Sequence, residues 1–217
     1  MTLEDCIVYI VDDDERLRTA ICDLLEAKGI TARAFGSIDE YAAFVRPDRP
    51  SCLVLDIELP NISGIEFQMQ VDQDAHPPIV FITGHGDIPT TVQAIKRGAV
   101  NFLTKPFEQI DLLASINAAF EQDRLKRREA ATLAVLRERL ATLTPREREV
   151  LPLIVGGLMN KQGAAQLAIS EVTFQIHRSR VMHKMQTSSV AELVRITEKL
   201  RLFSDEPFRS DSRDAEA

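Results

Sequence analysis

The chain has 217 residues, 45% of them hydrophobic and 27% charged, with three cysteines and a net charge of −7. That balance belongs to a globular chain of one large or two small domains. No run reaches the roughly eighteen apolar residues of a membrane span, the acidic start does not read as a signal peptide, and Cys6, Cys22 and Cys52 are too scattered for a disulfide framework or a structural zinc site. The cysteines read instead as small core residues in a reducing cytoplasm. Charge is unevenly spread. Residues 1–122 set nine basic against twenty acidic side chains, a balance of −11, whereas 123–142 carry +3, 143–201 carry +4 and 202–217 carry −3. An acidic front joined to a basic rear predicts two domains with different partners, of which only the rear approaches a phosphate backbone without repulsion.

In the front half, short apolar runs alternate with helix-patterned stretches. Strands are expected at Ile7–Val11, Thr31–Ala34, Leu53–Leu55, Ile79–Ile82 and Val100–Leu103. The helical faces between them are Leu17, Ile21, Leu24 and Leu25; Tyr41, Phe44 and Val45; Ile65, Phe67 and Met69; and Val92 and Ile95. Ser37 and Glu40 form a capping box for the second helix. Five β–α repeats in residues 1–122 predict a flavodoxin-like, doubly wound, five-stranded parallel sheet.

A helix from about Glu108 is expected to run on as a helical linker over 123–142. Leu133, Leu136, Leu140 and Leu143 form a seam there that is suited to pairing with a second copy. Residues 143–201 then predict a small all-α bundle of four helices. Thr144, Pro145 and Glu147 start the first, Gly156 and Gly157 end it, and Ser170 and Ser189 cap the third and fourth. Residues 202–217 have little to bury and read as a disordered tail.

Ligands on a doubly wound sheet gather beyond the carboxyl ends of its strands. Asp12 and Asp13 follow the first strand and Asp56 the third, Thr83 ends the fourth, and Lys105 follows the fifth. Strand order 2-1-3-4-5 brings these ends together. Three carboxylates so crowded call for a hard cation, Mg²⁺ or Mn²⁺. A metal, an ammonium and a hydroxyl around one carboxylate would stabilise phosphoryl oxygens on it.

These residues carry a resemblance. Val11-Asp-Asp13, Leu55-Asp56 with Pro60 and Gly64, Thr83-Gly-His-Gly86 and Lys105-Pro106-Phe107 resemble the receiver domain of two-component response regulators. The resemblance implies that Asp56 accepts a phosphoryl group from a sensor histidine kinase. It further implies that Asp13, Asp56 and the Glu58 carbonyl bind Mg²⁺ directly, with Asp12 acting through water. Thr83 and Lys105 would hold the phosphoryl oxygens, Phe102 would be the aromatic switch residue, and Glu58 and His85 would tune the lifetime of the acyl phosphate. Phosphatases of the haloacid dehalogenase type also use an aspartate nucleophile, but theirs follows the first strand with a second aspartate two residues on. Here that second position is Glu58.

In the rear half, Leu143-Thr-Pro-Arg-Glu-Arg-Glu-Val-Leu151, Gly157-Leu-Met-Asn-Lys161 and Ile169-Ser-Glu-Val-Thr173 with His177-Arg178 resemble the LuxR-type helix-turn-helix. The whole chain is thus similar to the NarL/FixJ family. Phe174, Val181, Met182 and Met185 share one side of the third helix and should face the bundle. Gln175, Ile176 and Ser179 lie opposite, where base edges would be met; Gln175 suits adenine and Ile176 a thymine methyl. Lys161, Thr173, His177, Arg178, Arg180 and Lys184 are candidates for phosphate contacts.

The function this implies is a phosphorylation-controlled transcription regulator, not an enzyme, that dimerises on phosphorylation and reads a two-fold related DNA site. Two departures keep open the alternative of a receiver-driven protein-interaction module with weak or absent DNA binding. Gly163 stands where the family has a bulky aliphatic, so a missing core contact is expected there. Ala168 stands where the family has glycine in the turn, and a left-handed residue there would be strained.

Overall fold

The computed structural model describes residues 5–72, 76–84 and 88–202. It divides into two compact units, Met1–Arg128 and Glu129–Ala217. The first is built from β1 (Ile7–Val11), α1 (Glu15–Glu26), β2 (Thr31–Phe35), α2 (Ile38–Ala43), β3 (Ser51–Asp56), α3 (Gly64–Gln70), β4 (Ile79–Thr83), α4 (Ile88–Lys96), β5 (Asn101–Thr104) and α5 (Gln109–Ala141). The unit boundary falls inside α5. The second unit adds α6 (Pro145–Val155), α7 (Asn160–Gln166), α8 (Glu171–Lys184) and α9 (Val190–Lys199).

The strands pair in parallel in the order β2-β1-β3-β4-β5. Every residue of β1, β3 and β4 is buried, because side chains alternate between two covered faces. Val8, Ile10, Cys52, Val54, Val80 and Ile82 meet Ile21 and Leu25 of α1 and Leu112, Ile116 and Phe120 of α5. Tyr9, Val11, Leu53, Leu55 and Phe81 meet Tyr41 of α2, Ile65 and Phe67 of α3, and Ala94 of α4.

Four residues expected on buried helical faces lie outside. Val45 is 87% exposed, because α2 stops at Ala43 and the approach to Pro47 disfavours helical backbone. Met69, Val92 and Ile95 are also exposed, and α4 buries Ala94 instead. The fifth strand sits one residue later than expected.

Past the sheet, the first residues of the expected linker pack against the strands' amino ends. Asp123 is buried and accepts from the Ser51 N–H (2.9 Å) and Arg127 Nε (2.7 Å). Arg127 also pairs with Asp48, and Arg124 reaches Cys6 Sγ at 3.3 Å. Farther along, Leu140 and Leu143 pack into their own helical bundle, so that part of the leucine seam is already occupied within the chain.

The bundle core is Leu143, Val150, Leu151, Leu153, Ile154, Ala164, Phe174, Val181, Met185 and Leu193. Thr144 and Glu147 form the expected capping box of α6, with Pro145 in the first turn. Ser170 and Ser189 cap α8 and α9 as expected, and Gly157 follows α6 at φ +76°. Ala168 takes a left-handed φ of 52°. Its N–H and that of Ile169 bond back to Ala165 and Ala164, a Schellman closure of α7.

Gly163 overturns an expectation. A Cβ placed there would lie 2.3 Å from Cζ and 2.4 Å from Cε2 of Phe174. No gap awaits an aliphatic side chain, because the fully buried Phe174 ring already fills it. The expected disordered tail lies outside the described residues beyond Leu202.

Candidate functional site

The carboxyl ends of β1, β3, β4 and β5 converge on one acidic pocket. Asp12 and Asp56 are buried and Asp13 is exposed, and each can direct an oxygen so that all three lie within 4.8 Å of one another. Asp14 is engaged elsewhere: it caps α1 by accepting from the Arg16 and Leu17 N–H groups. Lys105 Nζ bridges the pocket, 2.7 Å from Asp12 Oδ2 and 2.7 Å from Asp56 Oδ2. The remaining oxygens are oriented by main chain, since Asp14 N–H donates to Asp12 Oδ1 (2.8 Å) and Glu58 N–H to Asp56 Oδ1 (3.0 Å). Thr83 is fully buried one position past the Asp56–Ile82 pairing, and its carbonyl accepts from Lys105 N–H at 2.7 Å.

Burial pushes the Asp12 carboxyl up, outweighing the hydrogen bonds from Lys105 and Asp14, and the Asp56 charge adds to the rise. Burial pulls Lys105 the other way, yet its bonds to Asp12 and Asp56 prevail and hold the ammonium above its ordinary range. The cation is therefore the fixed charge of this pair. One ammonium against three carboxylates leaves an acidic excess that a divalent cation can offset. The aspartate oxygens, all within 4.8 Å of one another, are close enough to gather around one such ion, with waters completing the octahedron that Mg²⁺ prefers.

Phe102 pairs with Phe81 across β4 and β5 and is half-buried against the α2–α4 face of the sheet. Glu58 is exposed at the pocket mouth. His85 lies outside the described residues. Two residues contribute in ways that the sequence did not reveal. A Cβ on Gly64 would lie 2.5 Å from the Asp56 carbonyl, so only glycine lets α3 begin this close to the aspartate. Arg18 Nη1 donates to the Asp12 carbonyl at 2.6 Å. Gly64 was visible as a motif residue, whereas Arg18 had no signal beyond its charge.

In the second unit, α8 buries Phe174 and Val181, with Met185 buried just past its end, and leaves Gln175, Ile176, Ser179 and Arg180 exposed. Lys161 on α7 is exposed as well. Three other expected phosphate contacts, Lys184, Arg178 and Thr173, have internal partners. Lys184 Nζ lies 2.7 Å from buried Glu147 and donates to the Thr142 carbonyl at 3.0 Å. In this position it compensates a buried charge. Arg178 Nη1 is 3.4 Å from the Leu158 carbonyl, the Thr173 hydroxyl is 2.7 Å from Ser170 Oγ, and His177 turns a buried Nδ1 inward.

Comparison with known proteins follows the same division. Residues 8–117 match the response regulator receiver domain, and residues 141–197 match the bacterial regulatory proteins of the luxR family. The chain belongs to the response regulators. Nodulation protein W of Bradyrhizobium diazoefficiens is 47% identical over 195 residues, covering 89% of this chain and 86% of that protein. Transcriptional regulatory protein FixJ of the same organism is 36% identical, covering 91% and 97%. Among solved structures, response regulator StyR aligns with a TM-score of 0.76 at 42% identity, over 90% of this chain and 99% of that one. Full-length FixJ from B. japonicum aligns with a TM-score of 0.51 at 35% identity, over 91% and 98%. This response regulator thus joins a receiver to a LuxR-type DNA-binding domain, the organisation of a two-component transcription regulator. Among the described residues, no helix is long and apolar enough to cross a membrane.

Proposed function

We propose that Asp56 is the phosphoacceptor and that its phosphorylation by a sensor histidine kinase in the cytoplasm controls DNA binding. The observation that carries this is Lys105, whose ammonium is 2.7 Å from both Asp56 and Asp12 at the convergent strand ends. In the reaction, an Asp56 carboxylate oxygen attacks phosphorus in line. The bond from phosphorus to the imidazole nitrogen of the kinase's phosphohistidine breaks, and the electron pair returns to that ring. Asp13, Asp56 and the Glu58 carbonyl, with Asp12 through water, would hold Mg²⁺ or Mn²⁺, which supplies charge neutralisation for the phosphoryl oxygens. Lys105 exchanges a carboxylate oxygen for a phosphoryl oxygen, and Thr83 adds its hydroxyl. The movement of Thr83 frees space for Phe102, which repacks the surface around α4, β5 and α5 and favours a homodimer.

The receiver is assigned to residues 1–122, the linker to 123–142, the DNA-binding domain to 143–201 and the tail to 202–217. Two copies of α8 would read a two-fold related site through Gln175, Ile176 and Ser179, with Lys161, His177, Arg180 and the internally bonded Thr173 and Arg178 positioning the phosphates. The protein-interaction alternative rested on Gly163 and Ala168. Phe174 packs on the first and the Schellman closure accommodates the second, so neither favours it. Labelling by acetyl phosphate with Mg²⁺ tests the assignment: Asp56→Asn should take up no phosphate, and undiminished labelling would refute it.

A further inference from the structure

The outward face of α8 carries two large aliphatics, with the exposed acid Glu171 beside them at the start of the helix. Val172 is 67% exposed and Ile176 is 46% exposed. Four residues apart, they lie one above the other on a single face. Gln175 and Ser179 flank them in solvent, while Phe174 and Val181 anchor the opposite side in the bundle. Two side chains make too small a patch for a protein partner, which needs about 800 Å² on each side. The charge balance also favours nucleic acid, since residues 143–201 carry +4, and Arg180, one turn beyond Ile176, and Lys161 on α7 are both exposed. In the major groove the apolar feature that matches an aliphatic side chain is the thymine methyl.

We propose that Val172 acts with Ile176 as a thymine-methyl reader, and that the half-site holds two thymines next to the adenine met by Gln175. This rests on the reading above that α8 enters DNA. Four helical residues rise about 6 Å, and base pairs stack at about 3.4 Å. The two methyl groups should therefore lie about two base-pair steps apart.

The test uses the full-length protein treated with acetyl phosphate and a pool of random duplexes. The most enriched duplex is then remade with deoxyuridine at single thymine positions, which removes only the methyl group. Two positions should be sensitive, each losing about fourfold in affinity, the factor expected for one buried methyl-sized group. Val172→Ala should abolish the thymine-over-uracil preference at one position and Ile176→Ala at the other, with other base preferences intact. Equal binding of thymine and uracil duplexes, or an unchanged preference in Val172→Ala, would overturn the inference while leaving DNA binding standing. Failure to enrich any duplex would overturn the DNA-binding reading, and this inference with it.

Discussion

Gly163 of α7 and Phe174 of α8 form one small-and-large pair, in which the phenylalanine ring occupies the volume that a side chain on the glycine would need. The pair joins a scaffold helix to the helix proposed to read DNA. Because the ring is fully buried, it has no solvent into which to retreat. Gly163→Ala should therefore lose stability despite its better helix propensity, by about 1–3 kcal/mol as for other overpacked cores. Gly163→Ile should lose more. Adding Phe174→Leu to Gly163→Ala should recover part of that loss, a coupling that a double-mutant cycle in denaturant reads directly.

Ala168 should behave in the opposite way. Its φ of 52° is costly for a residue with a Cβ, and its side chain is exposed, so no packing is lost with it. Ala168→Gly should raise stability by about 0.5–1 kcal/mol, because relief of strain exceeds the added freedom of the unfolded chain. Thermal melting of the second unit's signal checks the sign.

Lys184 should matter to the fold rather than to DNA. Burial opposes the Glu147 charge, but Lys184 and Thr144 outweigh it and hold the carboxyl below its usual range. Lys184→Ala should cost about 1–3 kcal/mol at neutral pH, discounted for the lysine's partial exposure. The contribution is complete above the ordinary glutamate range and lost as pH falls through the lowered folded-state value. The salt slope of DNA binding should not change, whereas Lys161→Ala should reduce it by about one. Salt titrations of both variants separate the two roles.

His76 predicts a second pH dependence, this one in the receiver. Its Nδ1 must donate to the Pro77 carbonyl at 2.9 Å, so Nε2 accepts from the Tyr41 hydroxyl at 3.0 Å. Burial favours this neutral ring and lowers its pKa to about 4. The unfolded chain takes the proton first, from about pH 6.5 downward. Stability is therefore full above that pH and falls by roughly 3 kcal/mol towards pH 4, with no further loss from this group below it. Urea melts at pH 7 and pH 5 should differ less in His76→Gln than in the parent.

Most short-range and topological features were legible in the sequence, whereas side-chain contacts between distant elements were not. The strands, the caps at Thr144 and Ser170, and the convergence of Asp12, Asp56 and Lys105 follow from alternation, local hydrogen bonding and parallel topology. Val45 was misplaced because a helical spacing does not register where the backbone must stop before a proline. Gly163 looked like a defect because a lone glycine does not reveal which ring from another helix rests on it. Lys184 looked like a surface cation because its buried partner, Glu147, lies on a different helix 37 residues away. In the pocket, the carboxylates were readable from their strand ends, but the need for glycine at position 64 emerged only with the Asp56 carbonyl beside it.

Charge placed on Asp56 is proposed to control the DNA-binding half of the same chain. The most direct measurement of that control is the affinity of full-length protein for an enriched duplex, with and without acetyl phosphate and Mg²⁺, in the parent and in Asp56→Asn. Phosphodonor should tighten binding by the parent by about tenfold or more, together with a shift from monomer to dimer in sedimentation, and should leave Asp56→Asn unchanged in both. An equal response to phosphodonor in Asp56→Asn, or a parent that is labelled on Asp56 with no change in affinity, would contradict that proposal.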